Sequence, residues 1–326
     1  MQVFDSGKIY DFMGKKLGSF VISCLLIFGS IFFLATKGLN YGIDFAGGTL
    51  VQVRYDGPAP IEKIRAALDL PNLSVTEFGS ANEVVIRYSS ASEQVGSDPG
   101  RYIAKMLENT GNLEIRRVDV VGPKVGAELR EKGIMAISVS LVLILIYIAF
   151  RFEWRFALAA IICEFHDVII VLGAISALGL DVNLDTLAAV LTIIGYSLND
   201  TIIVFDRIRE GVQAGKSNDL NHNINESISA TLSRTFMTSL TTLLTVLTLF
   251  FFGGDIIHGF STIMIVGIVI GTLSSIFIAA PMLIWFKFDI VKYKEALAQK
   301  QRAKAEKERM RAMYEKRQCV GNSREF

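Results

Sequence analysis

Residues 184–210 read LDTLAAVLTIIGYSLNDTIIVFDRIRE, and their reading decides the fold. From 187 to 205 the run is long and apolar enough to cross a bilayer, which takes about 20 residues. Yet Asn199 and Asp200 lie inside it. A carboxylate well inside a span costs about 2.5–3.5 kcal/mol on insertion scales, so such a residue marks function by default. Two readings fit this stretch taken alone. Either Asp200 lies near enough to the inner end to reach headgroup water, or it is a proton-titrating or ion-pairing group in the core of a helix bundle.

Outward from this stretch, the chain has 326 residues, of which 51% are hydrophobic, and a mean hydropathy of +0.43. That excludes an ordinary soluble protein and predicts a polytopic membrane protein with some water-exposed mass. The net charge of +1 points to no nucleic acid or other global polyanion. Cys24 and Cys163 fall in apolar runs and Cys319 in a charged tail, so no disulfide framework is indicated. No phosphate-loop, H-E-x-x-H or clustered Cys/His pattern occurs, so neither nucleotide, metal nor other cofactor is expected.

Six spans are predicted, at 18–36, 134–150, 156–178, 187–205, 235–252 and 260–286. The first is too long for a signal-peptide core and is read as uncleaved. Lys and Arg occupy residues 1–16, 151–155, 206–233 and the tail from 287, whereas 179–185 and 253–259 have neither. These loops alternate without contradiction, so both termini are expected in the cytoplasm. The segment between the first two spans then lies on the outer, periplasmic side. Within it the order is strand (48–55), helix (60–70), strands (73–78 and 83–88), helix (101–109), strand (113–121). That order is the ferredoxin-like α+β unit, an antiparallel sheet backed by two helices. Residues 89–100 are expected to be a mobile loop, 42–49 (GIDFAGGT) a tight bend entering the sheet or a contact surface for a partner, and 122–133 a short amphipathic helix. The expected domains are 1–37 (N-terminus and first span), 38–133 (outer domain), 134–286 (five further spans) and 287–326 (basic tail).

The polar residues of the spans form the candidate site. Asp200 lies seven positions before Arg207, at the inner boundary, and Arg234 enters the fifth span from the same side. The two can share a depth on neighbouring helices, although an Arg at a span end also snorkels to the headgroups. Thr231, Arg234, Thr235, Thr238, Thr241, Thr242, Thr245 and Thr248 form one polar stripe along a helical face, expected to turn toward other helices or internal water. Threonine in a span also bonds its own backbone, which needs no function. Glu164, His166 and Asp167 interrupt the third span. An ionised Asp beside Arg has its charged form favoured, and separating the two while dry reverses this, so a conformational change can load and release a proton. Asp200, Arg234, Asn199 and Asp167 are the expected proton pathway, with His166, Glu164 and Thr238 in support.

The chain also carries YDFM at 10–13, GIDFAGGT at 42–49, VGPKVGAEL at 121–129, FRFEWR at 150–155, HDV at 166–168, IGYSLNDTIIVFDRIRE at 194–210, SRTFMTSLTT at 233–242 and GFSTIMIVGIVIGT at 259–272. With these motifs it resembles the SecF family, the smaller subunits of the SecD–SecF accessory complex of bacterial protein export. The resemblance implies a six-span half of the resistance–nodulation–division fold, completed by SecD, in the inner membrane. It implies use of the proton-motive force to promote preprotein translocation after the SecA/SecYEG step, with protons as coupling ion. Asp200 and Arg234 match the family positions linked to proton conduction. The partners it implies are SecD, the SecYEG channel, YajC, YidC and the translocating preprotein; membrane lipids are a further partner. It implies a non-enzymatic subunit. A small-molecule efflux half-transporter and a structural scaffold are the alternatives. The outer domain is small for the cavity-lined mass a drug porter needs. Glu164 belongs to none of these motifs. The basic tail reads as a solvated charged helix or one resting on anionic lipid.

Overall fold

The computed structural model describes residues 8–89, 98–214, 217 and 219–322. Most of the loop expected at 89–100, together with residues 1–7 and the last four residues, lies outside these. The fold is mostly helical, with a small sheet domain between its first two long helices. Among the described residues six helical segments are long and apolar enough to cross a membrane. They comprise α1 (Lys16–Thr36), α5 (Pro123–Arg151), α6 (Trp154–Leu178), α7 (Leu184–Ala214), α8 (Leu220–Phe252) and a sixth built from α9 (Asp255–Ser274), a π-helical turn (Ser275–Ala279) and α10 (Ala280–Trp285). The π turn sits just before Pro281, whose missing N–H and ring disturb the hydrogen bonds of the preceding turn.

Between α1 and α5 come β1 (Asn40–Tyr41), α2 (Ile43–Ala46), β2 (Gly48–Tyr55), α3 (Ile61–Ala67), β3 (Ser74–Phe78), β4 (Ser80–Tyr88), α4 (Pro99–Met106) and β5 (Leu113–Val121). Strands β2 to β5 form one antiparallel sheet in the order β3-β4-β2-β5. Alternation on β2 and β4 places Val51, Val53, Val84 and Ile86 on one face, where Ile64 of α3 and Ile103 of α4 cover them. All six are fully buried, so this face is the domain's core.

The glycine-rich segment is a clamp between this domain and the bundle. It contains one helical turn, α2, rather than only a bend. Gly47 has φ +72°, and a Cβ there would fall 2.7 Å from the Cα of Pro123, so only glycine fits beside the start of α5. The Asp44 carboxylate accepts from the N–H of Leu184 at 3.0 Å and so caps α7 from a distant segment. Strand β1 pairs in parallel with β6 (Asp181–Val182), just before α7, and Arg87 of β4 forms an ion pair with Asp181.

At the opposite end the expected loop at 206–233 is largely helical. α7 runs on to Ala214 and α8 begins at Leu220, where the Asp219 side chain accepts from the N–H of Asn221. Ile208 and Val212 of α7 and Ile224 and Ile228 of α8 are fully buried together, which holds the extension in place. The segment expected at 122–133 is likewise the first part of α5, continuous with its span. Beneath the α5–α6 turn, Arg151 and Arg209 both bind Asp206, at 2.7 and 3.2 Å, over a cluster of Phe152, Phe156, Phe205 and Phe288. α11 (Ile290–Asn322) continues beyond this end as a long helix, exposed over most of its described side chains.

The N-terminal segment docks on the α8 extension. Asn225 accepts from the N–H groups of Phe12 and Met13, both at 3.0 Å, and donates to Asp11 at 3.0 Å. The Gly14 N–H and then the Asn225 amide hold the Asp11 carboxyl below its ordinary range, with Lys15 adding to this. A depressed carboxyl stabilises the folded form above its unfolded value and loses that contribution as pH falls through the folded one. Amide exchange at Phe12 and Met13 is therefore expected to lose protection below pH about 4, relative to neighbouring amides, and Asp11→Asn to remove that dependence.

Candidate functional site

The site lies where α6, α7 and α9 pack together. Gly267 and Gly271 of α9 make the approach possible: a Cβ at 267 would fall 2.2 Å from the Ile193 side chain, and one at 271 would fall 2.9 Å from the Cβ of Ser197. One turn beyond Gly271, Ser274 reaches across to α6. There Asp167, fully buried, accepts hydrogen bonds from Ser197 at 2.5 Å and from Ser274 at 2.7 Å. Its other oxygen contacts His166 Nδ1 at 2.8 Å. Three spans thus contribute to the surroundings of one carboxylate. Burial of a charge without such partners costs several kcal/mol, which is why the hydroxyls converge here.

Asp200 lies one turn beyond Ser197 on α7 and is 1% exposed. Its carboxylate is approached by the Ser239 hydroxyl of α8 at 3.5 Å, the outer limit of a hydrogen bond. Ser239 in turn shares a hydrogen with Thr272 of α9 at 2.8 Å. The two acids therefore have separate hydroxyl surroundings joined by short steps along α7 and α9. Hydroxyls both donate and accept, so they can pass a proton, whereas the carboxylates can store one.

The structure brings Asp200, Asp167 and His166 into one buried region. Arg234 stands within electrostatic reach of Asp200, but its side chain is exposed on this chain. Asn199 is exposed and points away from the cluster, since adjacent positions on a helix differ by about 100°. Glu164 is 5% exposed and close to Asp167, yet it faces an apolar niche between α5 and α6 formed by Leu141, Ile148 and Phe165, where Oε1 has no hydrogen-bond partner. Thr238 is exposed and spends its hydroxyl on the carbonyls of Arg234 and Thr235. Thr241, Thr242, Thr245 and Thr248 do the same one turn back. Their stripe is uncovered along most of its length within this chain.

The hydroxyl partners Ser197, Ser239, Thr272 and Ser274 were not among the residues expected at the site. The available signal was position: Ser197 is one turn before Asp200, and Thr272 and Ser274 directly follow the Gly267/Gly271 pair.

A family profile described as "Protein export membrane protein SecD/SecF, C-terminal" matches residues 102–289, and one described as "SecD/SecF GG Motif" matches 32–59. The chain is 44% identical over 319 residues to the protein translocase subunit SecF of Helicobacter pylori strain J99, covering 97% of this chain and 99% of that one. It is 44% identical over 286 residues to the SecF subunit of Vibrio alginolyticus, covering 86% and 91%. Among solved structures it is similar to SecDF of Thermus thermophilus, described as a translocon-associated membrane protein, with a TM-score of 0.79 and 37% identity over 87% of this chain. A second SecDF structure, in a super-membrane-facing form, gives a TM-score of 0.62 at 34% identity over 93% of the chain. The chain spans 40% and 41% of those two solved chains.

Proposed function

The chain belongs to the SecD/SecF family of protein export membrane proteins, and on that premise we propose that protons moving through Asp200 and Asp167 drive its part in export. It is a multi-pass membrane protein and an accessory subunit of a protein translocase. In this reading it is non-enzymatic. SecD contributes the remaining spans, and the similarity to SecDF chains more than twice as long supports that pairing. The uncovered threonine stripe and the exposed Arg234, on a helix little buried by its own chain, are the face we assign to SecD. Both termini face the cytoplasm and the sheet domain faces the periplasm, in keeping with the Lys and Arg bias of the loops. Preprotein is handled on the outer side alongside the SecYEG channel, with YajC and YidC as further associates, and protons are the coupling ion.

One observation carries the proposal: two carboxylates are fully buried inside spans, each met by hydroxyls from neighbouring helices. When Arg234 is near, the ionised form of Asp200 is favoured; when a helix movement takes the guanidinium away, proton binding is favoured. The β1–β6 pairing and the Asp44 cap attach the sheet domain to the start of α7, so a shift of α7 reaches the outer domain.

Exchanging the pair, Asp200→Arg with Arg234→Asp, separates this from a packing role. An ion pair that only holds helices together tolerates the exchange. A proton carrier does not, because the acid is moved to an exposed position. Gradient-driven export by the exchanged protein in vesicles is expected to remain at the gradient-free level; recovery to the level of the unaltered protein contradicts the proposal.

A further inference from the structure

We propose that a groove between α1, α6 and the sixth span binds one acyl chain of an anionic phospholipid from the leaflet at the end away from the sheet. The groove has a volume of about 540 Å³. Lys15 stands at its mouth, Ile22 and Leu26 line one wall, Leu273 and Phe277 the other, and His166 reaches its deep end. Its α1 wall from Lys15 to Leu26 extends about 16 Å at 1.5 Å per residue. One leaflet contributes about 15 Å of hydrocarbon, so the groove is as long as a single acyl chain is deep.

Volume and charge decide between occupants. A helix about 10 Å across would occupy about 1,250 Å³ over the same length, more than the 1090 Å³ in the groove that atoms leave unfilled. A file of water is disfavoured because Ile22, Leu26, Ile270, Leu273 and Phe277 supply much of the wall, and the Ser19 and Ser274 hydroxyls on it already donate to the Lys15 carbonyl and to Asp167. An acyl chain fits both constraints. Lys15, with Lys16 beside it, places positive charge at headgroup depth, where an anionic lipid is preferred over a zwitterionic one. The Asp11 carboxylate nearby is taken up by the Gly14 N–H and the Asn225 amide.

The deep end gives the groove its consequence. His166 is 7% exposed, and Nδ1 faces Asp167 while Nε2 is buried with no hydrogen-bond partner. An acyl chain above it bars water from the His166–Asp167 pair along this route. The site depends on the chain spanning a membrane and not on the proton reading.

The test uses the intact complex in detergent, supplied with palmitoyl-oleoyl phosphatidylglycerol or the matching phosphatidylcholine, with retained lipid counted by native mass spectrometry. The unaltered protein is expected to keep one more phosphatidylglycerol than either Gly18→Phe or Ile22→Trp. Gly18 borders the groove and has open space around an added Cβ, so the ring can fill it. Lys15→Gln, a change at an exposed position that leaves folding intact, is expected to lower the preference for phosphatidylglycerol about fivefold. Equal lipid retention by the filled variants, no headgroup preference in the unaltered protein, or a partner subunit's helix cross-linking to Ile22→Cys would overturn the assignment.

Discussion

Asp200→Asn is expected to reduce export that depends on the proton gradient to the level seen without a gradient. The reason is quantitative. Moving one elementary charge through a 100 mV potential supplies about 2.3 kcal/mol, on the order of a 50-fold bias for each coupled charge. An amide cannot carry that charge. The substitution is nearly isosteric, and Ser239 can still donate to the amide oxygen, so the bundle is expected to assemble normally. Export from inverted vesicles, with and without an imposed gradient, is the measurement. Nucleotide-driven steps should be unchanged, and the component sensitive to an uncoupler should disappear. A scaffold in which Asp200 only packs against its neighbours would keep that component.

Gly173→Leu is expected to separate α1 from the bundle. A Cβ at 173 would fall 2.2 Å from the Cβ of Ser30 and 2.5 Å from its Cα, and a backbone atom cannot rotate away. α1 is otherwise little buried, so this approach and the hydrogen bonds of Ser176 to the carbonyls of Phe33 and Gly38, at 2.9 and 2.6 Å, hold it to α6. Forcing a large side chain into a packed contact costs about 1–3 kcal/mol, and losing two hydrogen bonds adds about 0.5–1.5 kcal/mol each. A loss of several kcal/mol should appear as a lower unfolding temperature and an increased spin-label distance between the Thr36 end of α1 and the Leu178 end of α6. Gly29→Ala is the control. It lies on α1, the other helix of this contact, with nothing within 4 Å of an added Cβ, and is expected to stabilise by up to about 1 kcal/mol. Equal behaviour of the two variants would show that the close approach is unimportant.

The spans and the strand–helix order of the sheet domain were legible because each rests on one strong periodic signal. Apolar runs mark the spans, and alternation marks strands such as Gly48–Tyr55. The continuation of α7 and α8 past their apolar runs was missed because hydropathy falls there, although the helical hydrogen bonding continues. The apolar residues Ile208 and Val212, and Ile224 and Ile228, kept helical spacing across the expected loop at 206–233, so a period-based reading could have found it. The β1–β6 pairing was invisible for another reason. It joins two-residue strands far apart in sequence, and no local pattern encodes such a contact.

At the site, Asp200 and Asp167 stood out because a carboxylate in an apolar run is costly. Their hydroxyl partners did not, because serine and threonine are common in spans and many bond only their own helix, as Thr241 and Thr245 do. Asn199 was grouped with Asp200 by adjacency, yet neighbours on a helix face different directions. Spacing of three or four, as in Ser197 and Asp200, was the better guide.

The central claim is that a buried acid on α7 carries the ion that does the work. Its most direct test records proton movement and protein export together, in one preparation of vesicles, for the unaltered complex and for Asp200→Asn. Export-linked acidification or alkalinisation is predicted to vanish in the variant together with gradient-driven export. Proton movement persisting at the unaltered rate, still coupled to export, would contradict it.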